Sequence, residues 1–138
     1  MSEQTSQIEI VEQPKPKNFI KIKNYKELYQ DELKRRKNAE ISLEEKKHEN
    51  AIELYDKAIE INPENDLLFQ YRAIQLKELG HYEKAKQDYL RAIELDSVYP
   101  DYYLGLGNLY NFNLEDSKKA LSTFLKIIEI DSLNSIAY

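Results

Sequence analysis

Apolar residues recur along this chain three or four positions apart, the spacing of one face of a helix. The pattern is clearest between Glu49 and Asp96, where it is written twice. Ala51-x3-Tyr55-x2-Ala58-Ile59-x-Ile61-Asn62 is followed by Ala85-x3-Tyr89-x2-Ala92-Ile93-x-Leu95-Asp96, each residue 34 positions after its counterpart. A fixed period of this size predicts stacked helical pairs, each unable to bury its apolar face alone. The expected class is therefore all-α, an α-solenoid of antiparallel helix pairs.

The same pattern places the elements. Helix is expected from about Tyr25, with Leu28, Leu33, Ala39 and Leu43 near helical spacing. Leu33–Lys47 fills the first slot of repeat one (about 32–65) and Ala51–Ile61 the second, which Pro63 ends because its ring cannot continue the hydrogen-bond ladder. In repeat two (66–99), Asp66 is the expected N-cap and Leu67–Leu79 the first helix, with Phe69, Ala73 and Leu76 facing in. Gly80 closes that helix in the left-handed conformation. Tyr82–Leu95 follows, with Tyr82, Ala85, Tyr89, Ala92 and Ile93 inward. Repeat three (100–134) opens at Pro100 and turns Tyr103, Leu106, Gly107 and Tyr110 inward. Its turn, Asn111–Asp116, lacks Gly and carries one extra residue, so Ala120, Phe124, Ile127 and Ile130 stand 35 after their counterparts. Six helices are expected between Tyr25 and Ile130, with Tyr55, Tyr89 and Phe124 buried between units. Residues 135–138 read as the start of a fourth unit in a domain spanning 25–138.

Residues 1–24 are polar, with Lys15 between Pro14 and Pro16, and are expected to form a disordered or extended tail. Charge is uneven about the net −5. Residues 14–37 hold nine Lys/Arg against three Asp/Glu, and residues 38–138 hold eleven against nineteen. The acidic body argues against a general nucleic-acid binder. The run Lys34-Arg35-Arg36-Lys37 reads as a wet helix face or a nuclear import signal. No apolar stretch approaches the roughly 18 residues of a membrane span. A cytoplasmic location, with a nuclear one open, is the expectation. The absence of cysteine excludes disulfides, thiol catalysis and Cys-ligated zinc.

Leu106-Gly107 and Tyr110, with Ala51, Tyr55, Ala58 and Pro63 and again Ala85, Tyr89 and Ala92, resemble the tetratricopeptide repeat family over about residues 32–134. Repeat one departs from that pattern most. Arg35, Asn38 and Ser42 stand where a large residue, Leu and Tyr are usual, which suits a solvent-facing end and leaves fusion of its two helices open. The resemblance implies a right-handed superhelix with a concave groove lined by the first helices and holding an extended peptide. Its positions here are Leu33, Arg36, Lys37, Glu40, Gln70, Tyr71, Ile74, Lys77, Asp101, Leu104, Asn108 and Asn111. Heat-shock co-chaperones of the family grip a C-terminal carboxylate with five Lys, Asn and Arg residues. The matching positions are Arg36, Glu40, Tyr71, Asp101 and Gly105, of which only the first keeps its charge. Glu40 and Asp101 would repel a carboxylate in a partly desolvated groove.

No chemistry is expected. His48 and His81 both fall at inter-helix turns and are read as solvated, and no Gly-rich phosphate loop is present. No cofactor, metal or catalytic residue is assigned. The expected function is an interaction scaffold that binds a peptide or protein partner in the groove. The alternative is a structural segment of a longer array or homo-oligomer with its own groove idle. Phe124, Ile127, Ile128 and Ile136, beside Leu121 and Leu125, exceed what one neighbouring helix can bury, so they are expected to form a C-terminal interface to a self-dimer, a partner or further repeats.

Overall fold

The computed structural model describes residues 25–137 in backbone and 25–135 in side chains, so the N-terminal tail and the side chain of Ile136 lie outside the described residues. Five helices are present among them: α1 (Tyr25–Ile61), α2 (Asp66–Glu78), α3 (Tyr82–Leu95), α4 (Pro100–Phe112) and α5 (Ser117–Ala137). Packing divides the chain into two units, one ending at Asn38 and one beginning at Ala39. In the first, the helical residues from Tyr25 onward are exposed apart from a half-buried Glu32, which accepts hydrogen bonds from Arg35 and Arg36.

The second unit holds the core. α2 pairs with α3, α3 with α4 and α4 with α5, which is the antiparallel solenoid order the 34-residue spacing predicts. α2 buries Phe69, Ala73 and Leu76, and α3 buries Ala85, Tyr89 and Ala92, as the periodicity requires. Gly80 between them has φ +81°, a conformation Gly adopts without steric cost. Pro63 lies just beyond the end of α1, and Pro100 is the first residue of α4.

α4 is buried on two sides, because α3 and α5 both pack on it. Tyr102 and Leu109 are therefore fully buried beside the expected Leu106, Gly107 and Tyr110, whereas Tyr103 is only half-buried. The turn before α5 meets its extra residue without Gly by placing Glu115 at φ +53°. Asp116 then caps α5, its Oδ1 accepting from the Lys119 amide at 3.1 Å.

Four expectations change. The two helices of repeat one are one continuous helix, so the count is five rather than six. The position equivalent to Gly80 is Lys46, and Glu44–Lys47 and Lys46–Glu49 ion pairs at 2.9 and 3.8 Å span the place where the turn was expected. With strong helix formers and no breaker there, the backbone has no reason to leave the helix. Tyr55 and Phe124 are half-buried, and of the three inter-unit aromatics only Tyr89 is closed off, at 3% exposure. Asp66 is the first helical residue rather than the cap, which is Asn65, and its carboxylate accepts a hydrogen bond from the Tyr102 hydroxyl. His48 is not solvated: it is half-buried, and its Nδ1 lies 2.7 Å from Gln75 Oε1 on α2.

Candidate functional site

The expected groove residues of the second unit lie on α2 and α4. Each of these helices spends one stripe on the core and turns another outward. On α2 the inward stripe is Phe69, Ala73 and Leu76, and the outward one carries Gln70, Tyr71, Ile74 and Lys77. Tyr71 is 40% and Ile74 36% exposed. On α4, Asp101, Leu104, Asn108 and Asn111 all face solvent, Leu104 at 49%. No core contact requires Tyr71, Ile74 or Leu104 to be large and apolar.

One feature ties the α2 stripe to α1, and a second joins it to the α4 stripe. The Tyr71 ring meets the Tyr55 ring of α1 at 5.9 Å between centroids. At the other end, Lys77 and Asn108 line an open cleft of about 410 Å³ together with Glu78, Tyr82, Phe112 and Asn113. Phe112, the most exposed aromatic there, is absent from the sequence-derived set. It is 72% exposed at the last turn of α4, where the Gly-free connection begins. Arg36 and Lys37 belong to the first unit. Both are exposed, and Arg36 Nε donates to Glu32 at 3.2 Å. Hydrogen bonds from Arg35 and then Arg36 hold Glu32 below the usual carboxylate range.

Beneath the α2 surface lies a polar cluster that the apolar pattern hides. Arg72 forms a two-pronged pair with Asp88 of α3, Nε to Oδ2 and Nη2 to Oδ1 at 2.8 Å each, and its Nη1 reaches Asp56 of α1 at 2.8 Å. Asp88 is buried at 6% exposure, whereas the Asp56 side chain is half open. The guanidinium also stands 5.6 Å from the Phe69 ring centre. Its proton is held more tightly than usual, chiefly by the Asp88 bond. This triad ties three helices together and lines an open cleft of about 350 Å³ with Ile52, Leu76, Lys84 and Gln87. Two signals could have found it: Arg72 sits on the Phe69–Ala73–Leu76 stripe, and Asp88 on the Ala85–Tyr89–Ala92 stripe. Opposite charges therefore occupy core-facing positions of paired helices.

The carboxylate-gripping positions can be placed as well. Asp101 is exposed at the start of α4. A Cβ at Gly105 would meet the ring of the buried Tyr89 at 2.5 Å, so this position is given to packing. Among the described residues no group of three His, Asp or Glu side chains is arranged to hold a metal ion.

On α5, Phe124 and Ile127 are half-buried, and Ile128 is 61% exposed beside Leu121 at 61% and Leu125 at 48%. An apolar stripe thus runs along its outer side. A family profile described as "TPR repeat" matches residues 75–111. Profiles described as "Tetratricopeptide repeat" match residues 54–87 and, twice, residues 39–65 and 100–132. The chain is 31% identical over 86 residues to "Small glutamine-rich tetratricopeptide repeat-containing protein 2" of Mycosarcoma maydis, covering 62% of this chain and 24% of that protein. It is 34% identical over 101 residues to "Heat-shock protein cognate (HSC) co-chaperone sgt12" of Aspergillus fumigatus, covering 73% of this chain and 29% of that one. It thus spans about a quarter of the length of these two curated relatives. Among solved structures, "Second TPR of Spaghetti (RPAP3) bound to HSP90 peptide SRMEEVD" is similar with a TM-score of 0.57 and 31% identity, over 61% of this chain and 77% of that one. Repeat spacing, helix order and matched profiles agree: the chain belongs to the tetratricopeptide repeat family.

Proposed function

We propose that this protein is an interaction scaffold that holds an extended segment of a partner protein along the outward stripes of α2 and α4. The observation that carries this reading is the exposure of Tyr71, Ile74 and Leu104, three large apolar side chains the core does not use, on helices rigidly seated by Ala73, Leu76, Tyr102 and Leu106. Rigid aromatic and aliphatic anchors of this type lose little entropy on binding and carry most of the energy of small interfaces. The Spaghetti repeat supports the mode of binding, since it is described as holding a peptide.

The ligand class we infer differs from that peptide. SRMEEVD is rich in carboxylates, whereas the positions that would grip a terminal carboxylate are here Tyr71, Asp101 and Gly105 on α2 and α4. We therefore infer a segment recognised through apolar side chains and backbone hydrogen bonds from Gln70, Asn108 and Asn111. The test is a displayed library of random peptides, followed by affinities for the selected sequences. Tyr71→Ala with Leu104→Ala should lower affinity by at least about 30-fold, the equivalent of a hot-spot loss near 2 kcal/mol, with Leu104→Ala alone leaving the thermal midpoint unchanged and Tyr71→Ala lowering stability only by the roughly 1 kcal/mol of its ring contact with Tyr55. The SRMEEVD peptide should bind no better than its amidated, scrambled form. Equal affinity of the double variant would remove the groove from the account.

A second reading is supported by the open stripe on α5, Leu121, Leu125 and Ile128. Exposed apolar surface of this kind marks an interface, and we propose that a further repeat or a partner covers it.

A further inference from the structure

On the reading that the open stripe of α5 is covered in the working protein, we infer that its cover is α5 of a second copy, packed antiparallel along Leu121, Leu125 and Ile128 about a two-fold axis. Spaced four and three apart, these side chains fall within about 60° of one side of the helix, and they are 61%, 48% and 61% exposed. Their counterparts 35 residues earlier are Lys86, Leu90 and Ile93 on α3. There the stripe faces the next repeat: Leu90 and Ile93 line a cleft with Tyr103, Leu106 and Tyr110 of α4. On α5 the lysine gives way to Leu121, so the uncovered version of the stripe is the more apolar one.

The length of α5 limits what can reach this stripe. α3 ends at Leu95, and α4 starts back from Pro100 five residues later. Ile130 stands where Leu95 does, yet α5 runs on to Ala137 with Ser135 in the place of the proline. Those further residues carry the backbone about 10 Å past the point of return, so a helix following by the same tight turn would miss the stripe. A cover then comes from another molecule, and charge selects a second copy. Lys118 and Glu129 flank the stripe on the same side, about 20° apart around the helix. A two-fold axis brings like flank to like flank. The register that sets Leu121 of each copy against Leu125 and Ile128 of the other also sets Lys118 of each beside Glu129 of the other. Lys118 has no ion-pair partner among the described residues, and Glu129 has the exposed Lys126 at 3.2 Å. A parallel pair would instead set lysine on lysine and glutamate on glutamate.

Sedimentation equilibrium of the 138-residue chain over a concentration series is the test, with circular dichroism to check that each variant folds. The parent should dimerise, and Leu125→Glu should raise the dissociation constant at least about 30-fold by setting a carboxylate against the other copy's apolar stripe. Lys118→Glu and Glu129→Lys should each weaken the dimer about 10-fold, since each sets two like-charge pairs across the axis. Mixed in equal amounts, these two variants should form a heterodimer as tight as the parent, and the doubly exchanged Lys118→Glu/Glu129→Lys chain should pair with itself equally well. A parent that stays monomeric, or charge reversals that leave its affinity unchanged, would overturn the proposal. Dye binding separates that failure from failure of the reading beneath it. A monomer that binds an apolar dye, and loses the binding in Leu125→Glu, still carries an open stripe in need of another cover. A monomer that binds none has its stripe closed already, and both readings fall.

Discussion

Arg72 offers the sharpest test of how this fold is held. Its guanidinium serves two carboxylates of very different surroundings: Asp88, 6% exposed and held by two hydrogen bonds, and Asp56, whose side chain is half exposed and held by one. Arg72→Met keeps the aliphatic stem against Phe69 but leaves Asp88 as a buried charge without its partner. Breaking a buried pair in this way costs about 3–5 kcal/mol, a large share of the roughly 5–15 kcal/mol that a domain possesses. Asp56→Ala removes a pair open to water and should cost about 1 kcal/mol or less. Arg72→Met with Asp88→Leu replaces both ends by apolar groups and should recover most of the loss, because no buried charge is then stranded. Urea unfolding followed by far-ultraviolet circular dichroism gives the three values, provided the slope with denaturant is unchanged. Equal losses for Arg72→Met and Asp56→Ala, or a double variant no better than Arg72→Met, would refute the reasoning.

Two further outcomes follow from close packing and from burial. Gly107→Ala should destabilise by about 1–3 kcal/mol, despite the better helix propensity of Ala, because the new Cβ would lie 2.3 Å from the Phe124 ring; urea midpoints should show the loss, and Phe124→Leu in the same chain should restore part of it. Burial and then the bond to Asp66 raise the Tyr102 phenol above its ordinary value of 10.0, and burial does the same to Tyr89, so the fold favours the neutral phenols: stability is intact below pH 10 and is lost as pH climbs past it. Tyr102→Phe, measured by urea unfolding between pH 8 and 11, should show a shallower alkaline loss than the parent.

Repeat two was legible almost residue by residue, because α2 and α3 each bury one stripe and the period of that stripe is written in Phe69, Ala73, Leu76, Ala85, Tyr89 and Ala92. α4 was half legible. Tyr102, Tyr103, Leu104, Leu106, Leu109 and Tyr110 make it apolar nearly all round, so periodicity cannot rank its faces, and Tyr102 and Leu109 emerge as core only once α5 is seen on the second side. α1 failed at its turn for a local reason. Lys46 can sit in a helix as readily as beside one, whereas Gly80 marks a turn by the φ it tolerates. The groove positions of α2 and α4 came from the family resemblance; Tyr71, Ile74, Asp101, Leu104, Asn108 and Asn111 are exposed, and Gln70 and Lys77 are half-buried. Phe112 was missed because it lies where the third repeat acquires its extra residue and the offsets slip from 34 to 35.

The two inter-repeat contacts show how packing and recognition are coupled. Tyr55 and Tyr89 occupy the same place in successive repeats, and each leans on the residue 16 positions later, Tyr71 or Gly105. Tyr89 takes the glycine: its ring fills the space a side chain would need, and it is buried. Tyr55 takes a second tyrosine, and both rings stay partly open to solvent. The tight contact therefore removes a side chain from the surface at Gly105, while the loose one adds an aromatic to it at Tyr71. By the family resemblance both are positions from which co-chaperones reach a terminal carboxylate, and neither carries an amide or cationic side chain here. A Gly105→Arg substitution alone could not create that grip, because its Cβ would have to displace Tyr89 from the core. Restoring the grip would require a smaller residue at position 89 as well, at a cost of several kcal/mol for truncating a buried aromatic. Which side chains α2 and α4 offer at these two positions is thus set from beneath, by the choice of which repeat interface is closed.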